Sequence, residues 1–332
     1  MPDASDPQIL RVAAVQAASV FLDREATTAK ACALIRQAGR EGAQMVVFPE
    51  GFIPGHASWY HHHVATGPLS TGLALRLFES SVEIPGPVTQ ALGEAAREAG
   101  CLVVMGLCER EPGSRATMWN SQVFIGPDGK LLGKHRKFMP TVGERLVHVG
   151  GHGDTFGAVE TPLGRVSGLV CGENLNPLAQ FALTAERTTL HAMSWPAYFG
   201  LGGPAIGDLV RANAVNFALS AGAFVVAACG ALDAASAEAM AIPEADMATL
   251  EAGGRLGGSL IAAPSGQILA GPMGAEEGLL LADCDLSLIG RVKLAMDFAG
   301  HYHRPDIFSL SVNRRRPEPV TYDEDPPAPS EG

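Results

Sequence analysis

Short apolar runs alternate with longer stretches of helical spacing from one end of this chain to the other. Residues 10–15 read as a strand, 23–42 as an Ala-rich helix, and 43–48 as a second strand stopped by Pro49-Glu50-Gly51. Residues 87–100 predict a helix with Pro87 just inside its start and Gly100 at its end, leading into a buried strand over 101–108. Two hairpins follow: 118–125 and 131–134 flank Gly126-Pro127-Asp128-Gly129, and 156–160 and 165–170 flank Thr161-Pro162-Leu163-Gly164. Asn176-Pro177 supplies an N-cap and first-turn pair for a helix over 177–189. Further strands are expected over 190–194, 224–228, 259–263 and 279–283, a helix over 206–221, and a turn at 264–267.

Strands joined in turn by helices and hairpins imply an α/β protein, with mixed sheet covered by helices and enough strands for two packed sheets. No repeat or linker interrupts the series, so residues 8–313 are expected to form a single domain. From Arg314 onward Pro, Glu and Asp dominate, and a segment of that composition over 314–332 cannot bury enough apolar surface to offset its ordering entropy. That tail is expected to be mobile.

Composition narrows the function classes. Over 332 residues, 47% hydrophobic and 18% charged describe an ordinary globular protein, and the net charge of −11 disfavours a polyphosphate partner. Nucleic acid is therefore not expected. The polar start, residues 1–8, has no basic segment followed by an apolar one, and no apolar run reaches a membrane span. A cytoplasmic protein with no membrane partner is the expectation. Six cysteines without a Cys-x-x-Cys pair suggest neither a disulfide framework nor a thiolate zinc site, and most read as small buried hydrophobes.

Cys171 is the exception, since it ends a buried strand, precedes Gly172 and lies shortly before a helix start. Unpaired backbone N–H groups or a nearby lysine there would lower its pKa and favour the thiolate. Lys137 follows a strand in a basic run; it is either a solvated loop lysine or an ammonium that stabilises charge developing on a substrate. Glu50 ends an apolar run, where it either faces solvent or, held beside a cysteine, takes the thiol proton and later activates water. Glu144 either anchors Lys137 or pairs at the surface with Arg145 or Arg136, and Glu173 either joins the site or caps the following helix.

The run His61-His62-His63 invites a metal assignment, but adjacent histidines do not converge on one centre and no second cluster has ligand spacing, so no metal is expected. Trp59, Tyr60, Trp195, Tyr198 and Phe199 follow the Glu50 and Cys171 elements and are candidates for an apolar substrate pocket, with ordinary packing as the alternative for each. His135 and Asn174, within the two motifs, complete the candidate substrate residues.

Phe48-Pro49-Glu50, His135-Arg136-Lys137-Phe138-Met139-Pro140-Thr141 and Cys171-Gly172-Glu173-Asn174 resemble the three signature segments of the nitrilase branch of carbon–nitrogen hydrolases. The separations of 87 residues from Glu50 to Lys137 and 34 from Lys137 to Cys171 are similar to that branch, as is Gly300-His301-Tyr302 with Arg304-Pro305-Asp306. The resemblance implies a four-layer αββα sandwich of two mixed sheets. It implies Cys171 as nucleophile, Glu50 as general base, Lys137 as charge stabiliser, Glu144 as a second acid and the Gly172 N–H as an oxyanion donor. The implied reaction is hydrolysis of an organic nitrile to a carboxylic acid and ammonia through a cysteine thioimidate and thioester, with water as co-substrate and no cofactor. Amides, carbamoyl compounds or cyanide would use the same groups, and a silent filament-forming scaffold is the non-enzymatic alternative. A homodimer or larger helical homo-oligomer is implied by the same analogy. Gly172, where many members carry Trp, and Thr155, where many carry Gly, depart from the pattern and leave the substrate range open.

Overall fold

The computed structural model describes residues 8–318 and Val320. Its strands, in chain order, are β1 (Ile9–Gln16), β2 (Met45–Val47), β3 (Leu102–Arg110), β4 (Met118–Ile125), β5 (Leu131–Arg136), β6 (Val159–Thr161), β7 (Gly164–Val170), β8 (Leu190–Trp195), β9 (Phe224–Cys229), β10 (Leu260–Ala262), β11 (Ile268–Ala270) and β12 (Gly278–Asp285). The helices are α1 (Arg24–Arg40), α2 (Pro68–Ser80), α3 (Pro87–Ala99), α4 (Pro177–Ala185), α5 (Ile206–Ala221), α6 (Ala234–Ala239), α7 (Glu244–Ala252) and α8 (Ser287–Ala295).

The strands form two six-stranded sheets, ordered β12-β1-β2-β3-β4-β5 and β11-β10-β9-β8-β7-β6. In each, three parallel strands, β1 to β3 and β7 to β9, are flanked by antiparallel neighbours, so both sheets are mixed. Side-chain alternation sorts the core into layers. Val12, Ala14, Val47 and Val104 pack against Ala192, Val226 and Ala228 between the sheets. Ala13, Val15, Val46 and Val103 face outward onto Ile35 of α1 and Leu92 of α3. Leu169, Met193 and Val225 face outward onto Leu183 of α4 and Val210 and Phe217 of α5. The result is the αββα sandwich, with helices closing both outer faces.

Local chemistry sets the element ends. The Asp23 side chain accepts from the Ala26 N–H and starts α1, and the Asn176 side chain accepts from Leu178 and Ala179 and starts α4. Gly100 closes α3 with φ +66. Several elements are shorter than expected, and two of them show why. Helix α4 stops at Ala185, because Arg187 turns left-handed at φ 59 and the Thr188 N–H closes back on the Leu183 carbonyl. The strand expected over 156–160 begins only at Val159, since Phe156 ends a 3-10 turn over Gly153–Thr155. The tail expected to be mobile lies mostly outside the described residues. In its described part Arg314 bonds Glu186 and Arg316 bonds Glu111 at 3.1 Å. Among the described residues no helix is long and apolar enough to cross a membrane.

Candidate active site

Each sheet delivers part of one buried polar site at the ends of its central strands. Glu50 lies three residues past β2, and its backbone N–H bonds across to the Trp195 carbonyl at the end of β8 at 3.2 Å, joining the two sheets there. β3 passes so close that a Cβ on Gly106 would collide with the Pro49 carbonyl, so glycine is required for Glu50 to sit where it does. Lys137 follows β5 directly, fixed by its N–H to the Asn120 carbonyl at 2.8 Å. Glu144 sits in a 3-10 turn, Val142–Leu146, where its Oε2 accepts from the Thr141 N–H at 2.9 Å.

The Lys137 ammonium, 0% exposed, donates to Glu50 Oε1 at 2.7 Å and to Glu144 Oε2. Asn120 on β4 bridges the same two carboxylates, its Nδ2 2.7 Å from Glu50 Oε1 and 2.7 Å from Glu144 Oε1. The solvated-lysine alternative is thus excluded. So is a surface pair for Glu144: Arg136 is held bidentate by buried Glu109 at 2.9 and 2.6 Å, and Arg145 bonds the Pro140 carbonyl at 3.1 Å. Glu50 Oε2 is buried and has no partner. An unpaired carboxylate oxygen in such a place is costly, and it is what a proton acceptor requires.

Cys171 opens a second 3-10 turn, Cys171–Leu175, with φ +53, a left-handed conformation that a non-glycine residue keeps only where its surroundings hold it. Two side chains do so. Asn174 Nδ2 donates to the Cys171 carbonyl at 3.0 Å and the Leu169 carbonyl at 3.2 Å, and its Oδ1 meets His191 Nε2 at 3.1 Å. Glu173 accepts from the Val170 N–H at 2.9 Å, the Phe138 N–H at 2.7 Å and His135 Nε2 at 2.9 Å. Glu173 therefore clamps the cysteine turn to the lysine loop, and Asn176 caps the helix instead.

The electrostatics correct one expectation. The thiol was expected to have a lowered pKa, but burial, with the Glu50 and Glu144 charges, holds it well above the usual thiol value against the opposing pull of Lys137 and the Gly172 N–H. The 3-10 turn also separates Cys171 from the start of α4 at Pro177, so no α-helix end reaches the sulfur. Burial raises the Glu50 pKa to about 7, with Lys137 opposing and Glu144 assisting. Burial also disfavours charge on Lys137 and Glu144, but their mutual attraction, with Glu50 and Cys171 acting on the lysine, outweighs it. Lys137 lies well above and Glu144 well below its ordinary value. Burial thus favours the protonated thiol and brings the Glu50 carboxyl near neutrality, while the two carboxylates favour the charged form of Lys137.

The other candidates are dispersed. Tyr198 lines a cavity of about 40 Å³ with Glu50, Phe52, His56 and Ser58. Trp59 is buried against Phe21 and Tyr60, and Tyr60 packs on Gly143 in the turn that carries Glu144. Trp195 lies in the same outer core cluster as Cys171, with Phe199 packed against it. His135 and Asn174 act on the cysteine turn. The three histidines part company: His62 bridges Asp246 and Tyr198, both at 2.8 Å, His63 bonds the Met240 carbonyl at 2.8 Å, and His61 packs on Tyr198. Glu50, His56 and Glu144 bring three ligand atoms within 4.8 Å of one another, but the Lys137 ammonium already bonds both carboxylates and would repel a cation.

Comparison with known proteins follows the same lines. The family model described as carbon-nitrogen hydrolase matches residues 11–294. A nitrilase of Paraburkholderia phymatum is 37% identical over 318 residues, covering 95% of this chain and 90% of its own length. An aliphatic nitrilase of Rhodococcus rhodochrous is 35% identical over 317 residues, covering 93% and 84%. Among solved structures, a carbon-nitrogen hydrolase of Helicobacter pylori superposes with a TM-score of 0.69 at 18% identity, over 90% of this chain and 96% of that one, a likeness of fold.

Proposed function

The chain belongs to the carbon–nitrogen hydrolase family, and on that premise we propose that it hydrolyses an organic nitrile to a carboxylic acid and ammonia through a covalent intermediate on Cys171. The observation that carries the chemistry is the buried, unpaired Oε2 of Glu50, in a site where burial raises the thiol pKa. Relatives 37% and 35% identical over nearly the whole chain carry the name nitrilase, which favours the nitrile as substrate.

Glu50 takes the thiol proton as the sulfur attacks the nitrile carbon, and passes it to the nitrogen to give a thioimidate. Water then adds with Glu50 as base, ammonia leaves with the proton, and a thioester remains. A second water, activated in the same way, releases the acid and restores the thiol. Lys137, held charged between Glu50 and Glu144, and the Gly172 N–H stabilise the negative charge that develops at each addition. Two waters and one nitrile give one acid and one ammonia.

The direct test is ammonia and acid release from a panel of aliphatic, aryl and hydroxy nitriles beside their matching amides. Nitrile turnover supports the reading, and turnover of amides alone replaces it with an amidase. The pH dependence is a second test. Because Glu50 must be ionised to accept the proton, kcat/KM should climb about tenfold per unit below its pKa of about 7 and level off above it. A flat profile across neutrality would exclude Glu50 as the base.

The departure at Gly172 carries its own expectation. A Cβ there would meet only Thr141 Oγ1 at 3.5 Å, so a side chain fits the backbone. Gly172→Trp should leave thermal stability within about 1 kcal/mol and raise KM for bulky aryl nitriles severalfold, by filling space beside the cysteine. An unchanged substrate profile would remove Gly172 from the pocket. Self-association belongs to the same reading: Tyr302, Ile307 and Phe308 stand 53%, 58% and 68% exposed on the late segment, apolar surface suited to a second copy. Sedimentation as a monomer at working concentration would contradict it.

A further inference from the structure

The cavity beside Glu50 holds a polar group that the scheme above leaves without a task. His56 follows the Pro54-Gly55 turn, and its Nδ1 lies 2.8 Å from Ser58 Oγ. Its Nε2 is buried without a hydrogen-bond partner, 3.7 Å from Glu50 Oε1 and 3.9 Å from Glu144 Oε1. Burial, with the Lys137 charge, lowers its pKa to about 4, so the ring is neutral at working pH. In a neutral ring one nitrogen carries the hydrogen. Two carboxylate oxygens facing Nε2 attract an N–H and repel a lone pair, which places the hydrogen on Nε2 and leaves Nδ1 to accept from the Ser58 hydroxyl.

Glu50 and His56 line one cavity of about 40 Å³, large enough to hold a water, and each carries a buried polar atom without a partner, Oε2 and Nε2. We propose that His56 positions the hydrolytic water: Nε2–H donates to the water oxygen while that water donates to Glu50 Oε2, so that its free lone pair faces the carbon bound to Cys171. The proposal rests on the nitrilase reading and deepens it. Attack by the sulfur needs no water, whereas both hydrolytic steps do, so His56 acts after the covalent bond has formed.

That division sets the experiment. In His56→Phe, kcat on a turned-over nitrile should fall roughly 10²-fold while kcat/KM, set by adduct formation, stays within about 3-fold. Intact-protein mass spectrometry at steady state should then find the adduct on Cys171 accumulating. His56→Gln, which returns a side-chain N–H, should recover most of kcat, and Ser58→Ala, which frees the ring, should lower kcat in the same direction by a smaller factor. Equal losses in kcat and kcat/KM without adduct, or no loss at all, would overturn the proposal. Should His56→Phe fail to fold by circular dichroism, Ser58→Ala decides, and an unchanged kcat there overturns it. A parent enzyme inactive on nitriles would instead sink the nitrilase reading, a result distinct from an active parent whose variants are unaffected.

Discussion

Cys171→Ala is expected to remove nitrile turnover by at least about 10⁴-fold while the protein stays folded. In the proposed reaction the sulfur is the atom to which the substrate carbon becomes bonded, so alanine leaves the substrate without a nucleophile. Glu50 and Glu144 are tied to Lys137, and the other described cysteines are buried, including Cys108, which feels the charges of Glu50, Glu144 and Lys137 but whose thiol bonds the Gly55 carbonyl at 3.5 Å. The turn that holds residue 171 depends on Asn174 and Glu173, which bond backbone atoms and the Lys137 loop and never the thiol, so alanine inherits the same clamp. Ammonia release and a thermal melt on the same sample check both halves. Residual turnover above a hundredth of the parent would refute the role of the thiol.

Lys137→Met should harm both activity and stability. The lysine cancels the charge of two carboxylates that share a fully buried site, and methionine, of similar length, leaves Glu50 and Glu144 facing each other across Asn120 with no cation between them. Removing one partner of a buried ionic group costs about 3–5 kcal/mol, an expected fall in Tm of roughly 4–7 °C for a chain of this size. Loss of the charge that stabilises the additions should lower kcat about 10³-fold. The two effects separate by a melt at lower pH: protonating the orphaned carboxylates relieves their repulsion, so Lys137→Met should lose less stability relative to the parent near pH 5 than near pH 8. An equal deficit at both pH values would show that the lysine contributes packing alone.

Much of this was legible in the sequence where punctuation was strong. The hairpin over Gly126-Pro127-Asp128-Gly129 and the cap at Asn176 fixed element ends, and β4 and α5 have the bounds the pattern predicts. Helix α2 was missed because it follows a histidine-rich turn and shows one narrow apolar row, Leu73 and Leu77, above exposed Leu69 and Leu75. Strand β11, three residues long, is too short for alternation to register.

At the site, the motifs placed Glu50, Lys137, Glu144 and Cys171 on their loops, but spacing could not decide what each side chain meets. Whether Glu173 clamps or caps depends on His135 and Phe138, which are 38 and 35 residues away. Asn120 went unnoticed, although a signal was present: Asn120-Ser121-Gln122 interrupts an otherwise apolar strand, and all three are 0% exposed. Alternation sends Asn120 to the two carboxylates and Gln122 to Ser194 Oγ at 2.7 Å, while Ser121 turns the other way to Glu109 at 2.8 Å. A polar triplet in a buried strand needs partners, and those partners locate a site. The sign of the thiol shift was misread because burial, a tertiary property, outweighs the local N–H groups that sequence position suggests.

The measurement that bears most directly on this account is rapid-quench intact-protein and peptide mass spectrometry of the parent and Glu50→Gln mixed with a nitrile. A transient adduct of thioimidate or thioester mass on the peptide containing Cys171 in the parent, formed at least about 10²-fold more slowly in Glu50→Gln, is the predicted result. Ammonia released with no adduct at Cys171, or an adduct formed equally fast without the Glu50 carboxylate, would contradict it.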